Sequence, residues 1–169
     1  IGVMATDYQQ AISVQDVPVD SYAALGNYSS ILANRLSYTF GFQGQSVSID
    51  AACASSLVAI HQAKHSLLSA ECDYAIAGGV SLNLHPWKYI SFSKARMLSP
   101  DGQCKTFDVS ANGYVPGEGV GVVLMQPLAD AQRLGNHIYG VIKGSAVNHC
   151  GQTLSITAPL VEAQKNVIL

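Results

Sequence analysis

The chain has 169 residues, 49% of them hydrophobic and only 12% charged, with a formal net charge of −2. That balance excludes a disordered segment, and without any Lys/Arg cluster it argues against nucleic acid or an anionic membrane as the main partner. The apolar content suits one domain with a substantial core, or part of a larger one.

No uninterrupted apolar run reaches the ~20 residues of a membrane span, and the N-terminus lacks the charged-then-apolar order of an export signal. Cys53, Cys72, Cys104 and Cys150 lie far apart, with neither a CxxC nor a zinc-type Cys/His spacing. Reduced thiols and a soluble, cytoplasmic protein are expected.

In chain order, Ile1-Gly2-Val3-Met4 opens as an apolar strand with no preceding cap. Residues 28–39 place Ile31, Leu32 and Leu36 on one helical face, and Gly41 and Gly44 close that helix. The spacing then predicts a strand over Ser46–Asp50 and a long helix over 54–69, with Leu57, Ile60, Leu67 and Leu68 at helical intervals. Tyr74–Val80 is apolar throughout, as expected of a strand covered on both faces.

The stretch from Leu84 to Gly117 is rich in turn signals, including Ser99-Pro100-Asp101-Gly102 and Ala111-Asn112-Gly113, and is expected to be irregular. Beyond it, Gly119–Met125 is predicted as a strand, Leu128–Arg133 as a short helix and Tyr139–Val147 as another strand. The chain stops inside a helical pattern at Ala163–Leu169. This alternation indicates a layered α/β fold, and both ends read as unfinished.

Cys53 is the leading candidate for chemistry. It follows the alternating run Val47-Ser48-Ile49-Asp50 and stands at the mouth of the 54–69 helix, flanked by Ala51, Ala52 and Ala54. A strand entering a helix through such small residues makes a tight elbow, and free N–H groups at the helix start favour a thiolate. An inert cysteine packed among alanines fits the same residues.

Other constellations are weaker. His61-Gln62-Ala63-Lys64-His65 sets two imidazoles one turn apart, as in zinc proteases, but Gln62 stands where a general-base glutamate is required and no third ligand is evident; no metal is expected. Gly117-Glu118-Gly119-Val120-Gly121 precedes a strand, so it is no phosphate loop, and Glu118 there needs a partner that spacing does not identify. His149 and Cys150 are adjacent on an extended segment and point in opposite directions, so they do not form a catalytic pair.

Taken together, separated segments resemble the β-ketoacyl synthases, specifically the ketosynthase domains of modular type I polyketide synthases. They are Asn34-Arg35-Leu36-Ser37-Tyr38, Asp50-Ala51-Ala52-Cys53-Ala54-Ser55-Ser56, Ala77-Gly78-Gly79-Val80, Ala95–Gly102, Phe107-Asp108 and Gly113-Tyr114-Val115-Pro116-Gly117-Glu118-Gly119, in the family's order. Leu82-Asn83-Leu84-His85-Pro86, with Asn148-His149, is most similar to ketosynthases of assembly lines that borrow a separate acyltransferase.

The resemblance implies a thiolase-like layered α/β fold, incomplete here: residues 1–169 would be a partial ketosynthase domain truncated at both ends, the N-terminal half plus the start of the second. It implies that Cys53 is the nucleophile, and that Glu118 is a buried acid supporting the active site without touching substrate. Asn34 and the strand ending at Asp50 match the region where two subunits of the full domain meet as a homodimer. The implied reaction loads an acyl chain from an acyl carrier protein onto Cys53 and condenses it with malonyl on a second carrier. No cofactor binds directly; the phosphopantetheine arm of the carrier protein delivers the substrate, and neighbouring synthase domains are the other partners.

Alternatives are a non-elongating acyl-transfer domain and a ketosynthase of a fatty-acid or polyunsaturated-fatty-acid synthase. Two family histidines, carried by later HGTGT-type and KSNIGH-type segments, do not occur by Leu169. The isolated chain is therefore expected to be inactive and poorly stable. Ala51 and Ala54, where many relatives have Thr and Ser, and Gln45, where proline is common, are minor departures.

Overall fold

The computed structural model describes residues 1–4, 6–14 and 18–169. Its elements in order are α1 (Asp7–Val14), α2 (Ala23–Asn27), α3 (Ser29–Phe40), α4 (Ser55–Leu68), β1 (Ala75–Ser81), α5 (Trp87–Lys94), β2 (Gly119–Met125), α6 (Leu128–Arg133) and α7 (Val161–Ile168). The helix expected over 28–39 is α3, and Gly41 ends it in the left-handed conformation (φ 68°), its N–H donating to the Ser37 carbonyl.

β1 and β2 pair antiparallel, from Ala75 opposite Met125 to Ser81 opposite Gly119. On the other side of β1 runs the N-terminus, parallel to it: the Gly2 N–H donates to the Gly78 carbonyl at 2.7 Å and the Val80 N–H to the Gly2 carbonyl at 3.2 Å. The segment ending at Ile49 joins outside that, through Ile49 N–H to Ile1 O at 2.8 Å and Val3 N–H to Ile49 O at 3.0 Å. The ladder therefore runs 49, 2, β1, β2. The expected strands at residues 1–4 and 46–50 are segments held by isolated bridges, two at Gly2 and one at Ile49.

Helix α4 lies on β1, and the close approach is permitted by small residues on both sides. A Cβ added to Gly79 would meet the Ser56 Cβ at 2.7 Å, and one added to Gly2 would meet the Ser56 backbone nitrogen at 2.5 Å. Ser55, Ala59 and Ser66 are the buried residues of α4. The leucine face expected from periodicity is packed only in part: Ile60 and Leu67 are half-buried, while Leu57 is 69% and Leu68 71% exposed. Glycines in the sheet draw the helix in so near that only small side chains fit between.

Three further expectations are corrected. Tyr139–Val147 forms no strand among the described residues, because a strand needs a ladder partner and none lies beside it. The irregular middle contains α5. Strand β1 is covered on one side by α4, but β2 is exposed, with Val120 76% and Leu124 69% accessible.

A substantial core is likewise absent among the described residues. The buried hydrophobic residues are Ala33, Ala59, Ala77, Ala131 and Ala163, and no large side chain is fully enclosed. The accessible surface is 12669 Å², against roughly 8,000 Å² for a folded monomer of this mass. Large hydrophobic residues of β2, the 139–147 segment and the helices are among those exposed.

Candidate active site

The elbow between the Ile49 bridge and α4 is built by two side chains and one strained backbone. Ala52 adopts φ 49°, a left-handed conformation costing a non-glycine residue about 1 kcal/mol. The buried Ser55 hydroxyl donates to the Ala52 carbonyl at 2.6 Å and accepts the Ala51 N–H at 2.9 Å. Asp50 Oδ1 accepts the Ala52 N–H at 3.0 Å. Two turn bonds complete the corner, Ala54 N–H to Ala51 O and Ser55 N–H to Ala52 O, each 3.1 Å.

Cys53 sits on the outside of this corner and is exposed. Helix α4 has Ala54 as its N-cap, with no side-chain capping bond. Among the described residues, the N–H groups of Cys53, Ser56 and Leu57 have no acceptor. Unengaged donors around an exposed thiol can stabilise negative charge, either on the sulfur or on an oxygen bonded to the attacked carbon.

The Tyr114 phenol is pushed above the usual tyrosine range, first by burial and then by the charge of Cys53. Its backbone is pinned on both sides, with the Tyr114 N–H donating to Met97 O at 3.0 Å and the Ser99 N–H to Tyr114 O at 2.9 Å. Cys104 lies alongside, its Sγ accepting the Val115 N–H at 3.2 Å.

Glu118 departs from expectation. It is exposed rather than buried, because it precedes β2 at the uncovered edge of the ladder. The partner that spacing did not identify is the Asn83 N–H, which donates to Glu118 Oε1 at 2.6 Å just beyond the end of β1. Asn83 also donates through its amide to Gly117 O at 3.3 Å.

The histidines make local contacts. His61 Nδ1 lies 2.9 Å from the Ser145 hydroxyl, which also accepts Lys64 Nζ at 3.1 Å. The His61 and His65 rings are tilted against each other with centroids 4.5 Å apart. His149 Nδ1 accepts the Gly151 N–H at 2.9 Å and His85 Nδ1 the Trp87 N–H at 3.2 Å, so each closes its own turn. A cavity of about 370 Å³ opens between α1, α3 and the end of β1, lined by Asp7, Tyr28, Leu32, Arg35, Val80 and Leu84 among others. Cys53 does not line it. No helix among the described residues is long and apolar enough to cross a membrane.

Residues 1–131 match the family model described as "Beta-ketoacyl synthase, N-terminal domain". Over 168 residues the chain is 47% identical to Polyketide synthase ThaG of Burkholderia thailandensis and 48% identical to Polyketide synthase PksL of Bacillus subtilis. In both cases 99% of this chain is matched, against 3% and 4% of those proteins' lengths. Among solved structures, the ketosynthase from module 6 of the bacillaene synthase of Bacillus subtilis 168 superposes with a TM-score of 0.90 at 43% identity, covering 99% of this chain and 28% of that one. The oxazolomycin ketosynthase domain OzmH KS7 of Streptomyces albus JA3453 gives 0.90 at 35%, over 99% and 29%. With both Cys53 and Glu118 inside the matched segment, the chain belongs to the β-ketoacyl synthase family and carries the thiolase-like α/β fold of polyketide synthase ketosynthase domains.

Proposed function

We propose that Cys53 is the acyl acceptor of a chain-elongating ketosynthase in polyketide biosynthesis. The observation that carries this reading is an exposed thiol on a left-handed corner with its own N–H unengaged at a helix start. In the proposed sequence the Cys53 thiolate attacks the thioester carbonyl of an acyl chain held on the phosphopantetheine arm of a carrier protein. The pantetheine thiol leaves with a proton and the acyl chain remains on Cys53. Malonyl on a second carrier loses CO2, and the resulting enolate attacks the Cys53 thioester. The Cys53 thiolate departs, giving a β-ketoacyl carrier two carbons longer. The free Cys53 N–H is the natural donor to the oxyanion of both additions.

Glu118 supports this site without touching substrate, by holding the Asn83 backbone where β1 ends. The resemblance assigns the histidines that complete condensation to HGTGT-type and KSNIGH-type segments, which residues 1–169 do not contain. The remainder of that domain and its homodimer partner would cover the exposed faces of β2 and residues 139–147. A borrowed acyltransferase is inferred from Leu82–Pro86 and Asn148-His149, and a cytoplasmic setting from the unpaired thiols.

The test is intact-mass spectrometry of the parent protein and its Cys53→Ala variant, offered an acyl thioester and then malonyl-carrier protein. Acylation that the variant loses, followed by a condensed product, is the expected result. Acylation without product would mean a non-elongating transfer domain, and no acylation at all would remove Cys53 from the reaction.

A further inference from the structure

Asp7 stands in the first turn of α1 and is only 9% exposed, yet it lines the cavity of about 370 Å³ between α1, α3 and the end of β1. Its Oδ2 accepts the Leu84 N–H at 3.1 Å and the His85 N–H at 3.3 Å, just past the end of β1. Among the described residues nothing bonds to Oδ1. The enclosed side-chain oxygens without a partner are Gln10 Oε1 and Asn27 Oδ1; Asp7 Oδ1 is not one of them, so it keeps an open side on the cavity. A buried carboxylate oxygen left unengaged calls for a donor.

Arg35 of α3 lines the same cavity. One guanidinium nitrogen donates to the Leu25 carbonyl at 3.1 Å, which leaves further N–H groups of the fork to give. No carboxylate lies within ion-pair distance of Arg35 among the described residues. Much of the remaining wall is apolar, with Leu25, Ile31, Leu32, Leu82 and Leu84, and the volume falls in the range of about 300–1,000 Å³ usual for small-molecule sites.

An ammonium would satisfy Asp7 but be repelled by Arg35, and a carboxylate would do the reverse. A secondary amide satisfies both without bringing charge into an apolar space: its N–H donates to Asp7 and its carbonyl accepts from Arg35. A second cavity of about 90 Å³ shares Val3, Thr6 and Ser29 with the first and extends to Ser48 and Asp50. Asp50 is the residue whose Oδ1 accepts the Ala52 N–H in the Cys53 corner. The two spaces therefore adjoin and lead from Asp7 to the foot of that corner.

We propose that Asp7 and Arg35 form an amide subsite for the distal part of the acyl chain, so that the synthase prefers chains carrying a secondary amide several atoms from the thioester. The proposal rests on Cys53 being the acyl acceptor.

The experiment measures kcat/KM for Cys53 acylation of the parent protein by a series of ω-acetamidoacyl N-acetylcysteamine thioesters, from butanoyl to octanoyl. Each is paired with the ketone in which a methylene replaces the amide nitrogen, so the two differ in one donor. The leaving group is the same throughout, and a preference therefore belongs to the chain. At the length that fits, the amide is expected to be favoured about tenfold, the order that one bond to a charged acceptor supplies. Asp7→Asn keeps an oxygen for the Leu84 and His85 N–H groups but turns a donor toward the chain, so the preference should fall to within about twofold.

Equal rates for amide and ketone at every length would overturn the proposal, as would a preference that Asp7→Asn leaves intact. A pantetheine thioester that outdoes its N-acetylcysteamine counterpart through Asp7, with no preference among chains, would give the cavity to the carrier's arm and equally overturn it. Should Asp7→Asn lose its cooperative melt, Arg35→Met carries the comparison through the ratio of amide to unsubstituted hydrocarbon chain, which should fall about fivefold; an unchanged ratio counts against the subsite. Wild-type protein that takes no chain on Cys53 defeats the underlying reading and this one with it, whereas acylation without preference defeats this one alone.

Discussion

The Ser55 hydroxyl holds the Ala52 carbonyl at 2.6 Å while accepting the Ala51 N–H at 2.9 Å, so one buried side chain spans the corner that presents Cys53. Replacing it leaves a backbone donor and acceptor short of partners. Ser55→Ala is expected to cost the parent domain about 1–3 kcal/mol, read by urea denaturation, and to slow Cys53 acylation. Unchanged stability together with unchanged acylation would show that the corner holds without it.

Gly79 faces Ser56 at a distance that admits no Cβ. Gly79→Ala must push the start of α4 off the sheet, and overpacking of this kind costs about 1–3 kcal/mol. The thermal midpoint should fall, and acylation should fall with it because Cys53 rides on the displaced helix start. Loss of stability with full acylation would separate the helix packing from the site.

Tyr114 offers a spectroscopic test of its nearness to Cys53. Its phenol is raised by burial and, secondarily, by the thiolate charge. Removing that charge in Cys53→Ala should move the Tyr114 phenolate transition, followed near 295 nm, to lower pH while leaving it above the ordinary value of about 10. A Tyr114→Phe control assigns the transition. A midpoint that does not move on losing Cys53 would place the two groups out of reach of each other.

The acid limit of the 98–114 loop follows from its carboxylates. Asp101 is held well below the usual range by its bonds to Lys105 and Ser99, and Asp108 is lowered by its two bonds from Ser110. A depressed carboxylate contributes its stabilisation above the ordinary value, about 3.9, and loses it as pH falls through the folded value. Hydrogen exchange of residues 98–114, corrected for intrinsic rates, should be flat from pH 5 to 8 and lose protection only in acid below about 4. Protection that falls between pH 5 and 8 would assign the loop to other groups.

The 169 residues expressed alone should associate or melt without cooperativity, because their 12669 Å² of surface is roughly half as large again as a folded monomer of this mass exposes. They should also give no condensed product from acyl and malonyl carriers. Analytical ultracentrifugation and a thermal melt check the first point, and a monomer with a sharp transition would contradict it.

Much of this was legible in the chain itself. The helix over α3 and its glycine stop, the α4 helix, and strands β1 and β2 were readable because their signals are local: apolar period, glycine position and flanking turn residues. The elbow at Cys53 was readable for the same reason, since alternation gives way to a helix across four small residues. The family followed from ordered motifs that need no tertiary information.

The tertiary structure decided which faces meet. Periodicity marks Leu57, Ile60, Leu67 and Leu68 as a packing stripe, yet Gly2 and Gly79 bring the sheet so close to Ser56 that the buried residues of the helix are Ser55, Ala59 and Ser66, with Ile60 and Leu67 only half-buried. The partner of Glu118 is a backbone N–H 35 residues away, and the charge that helps raise the Tyr114 phenol belongs to Cys53, 61 positions upstream. Sequence by itself determined the nucleophile candidate, its corner and the family, since all three reside in contiguous residues. Only the folded chain decided what surrounds that nucleophile, because a turn-rich loop carries no periodic signal and its closure depends on contacts between residues far apart in sequence.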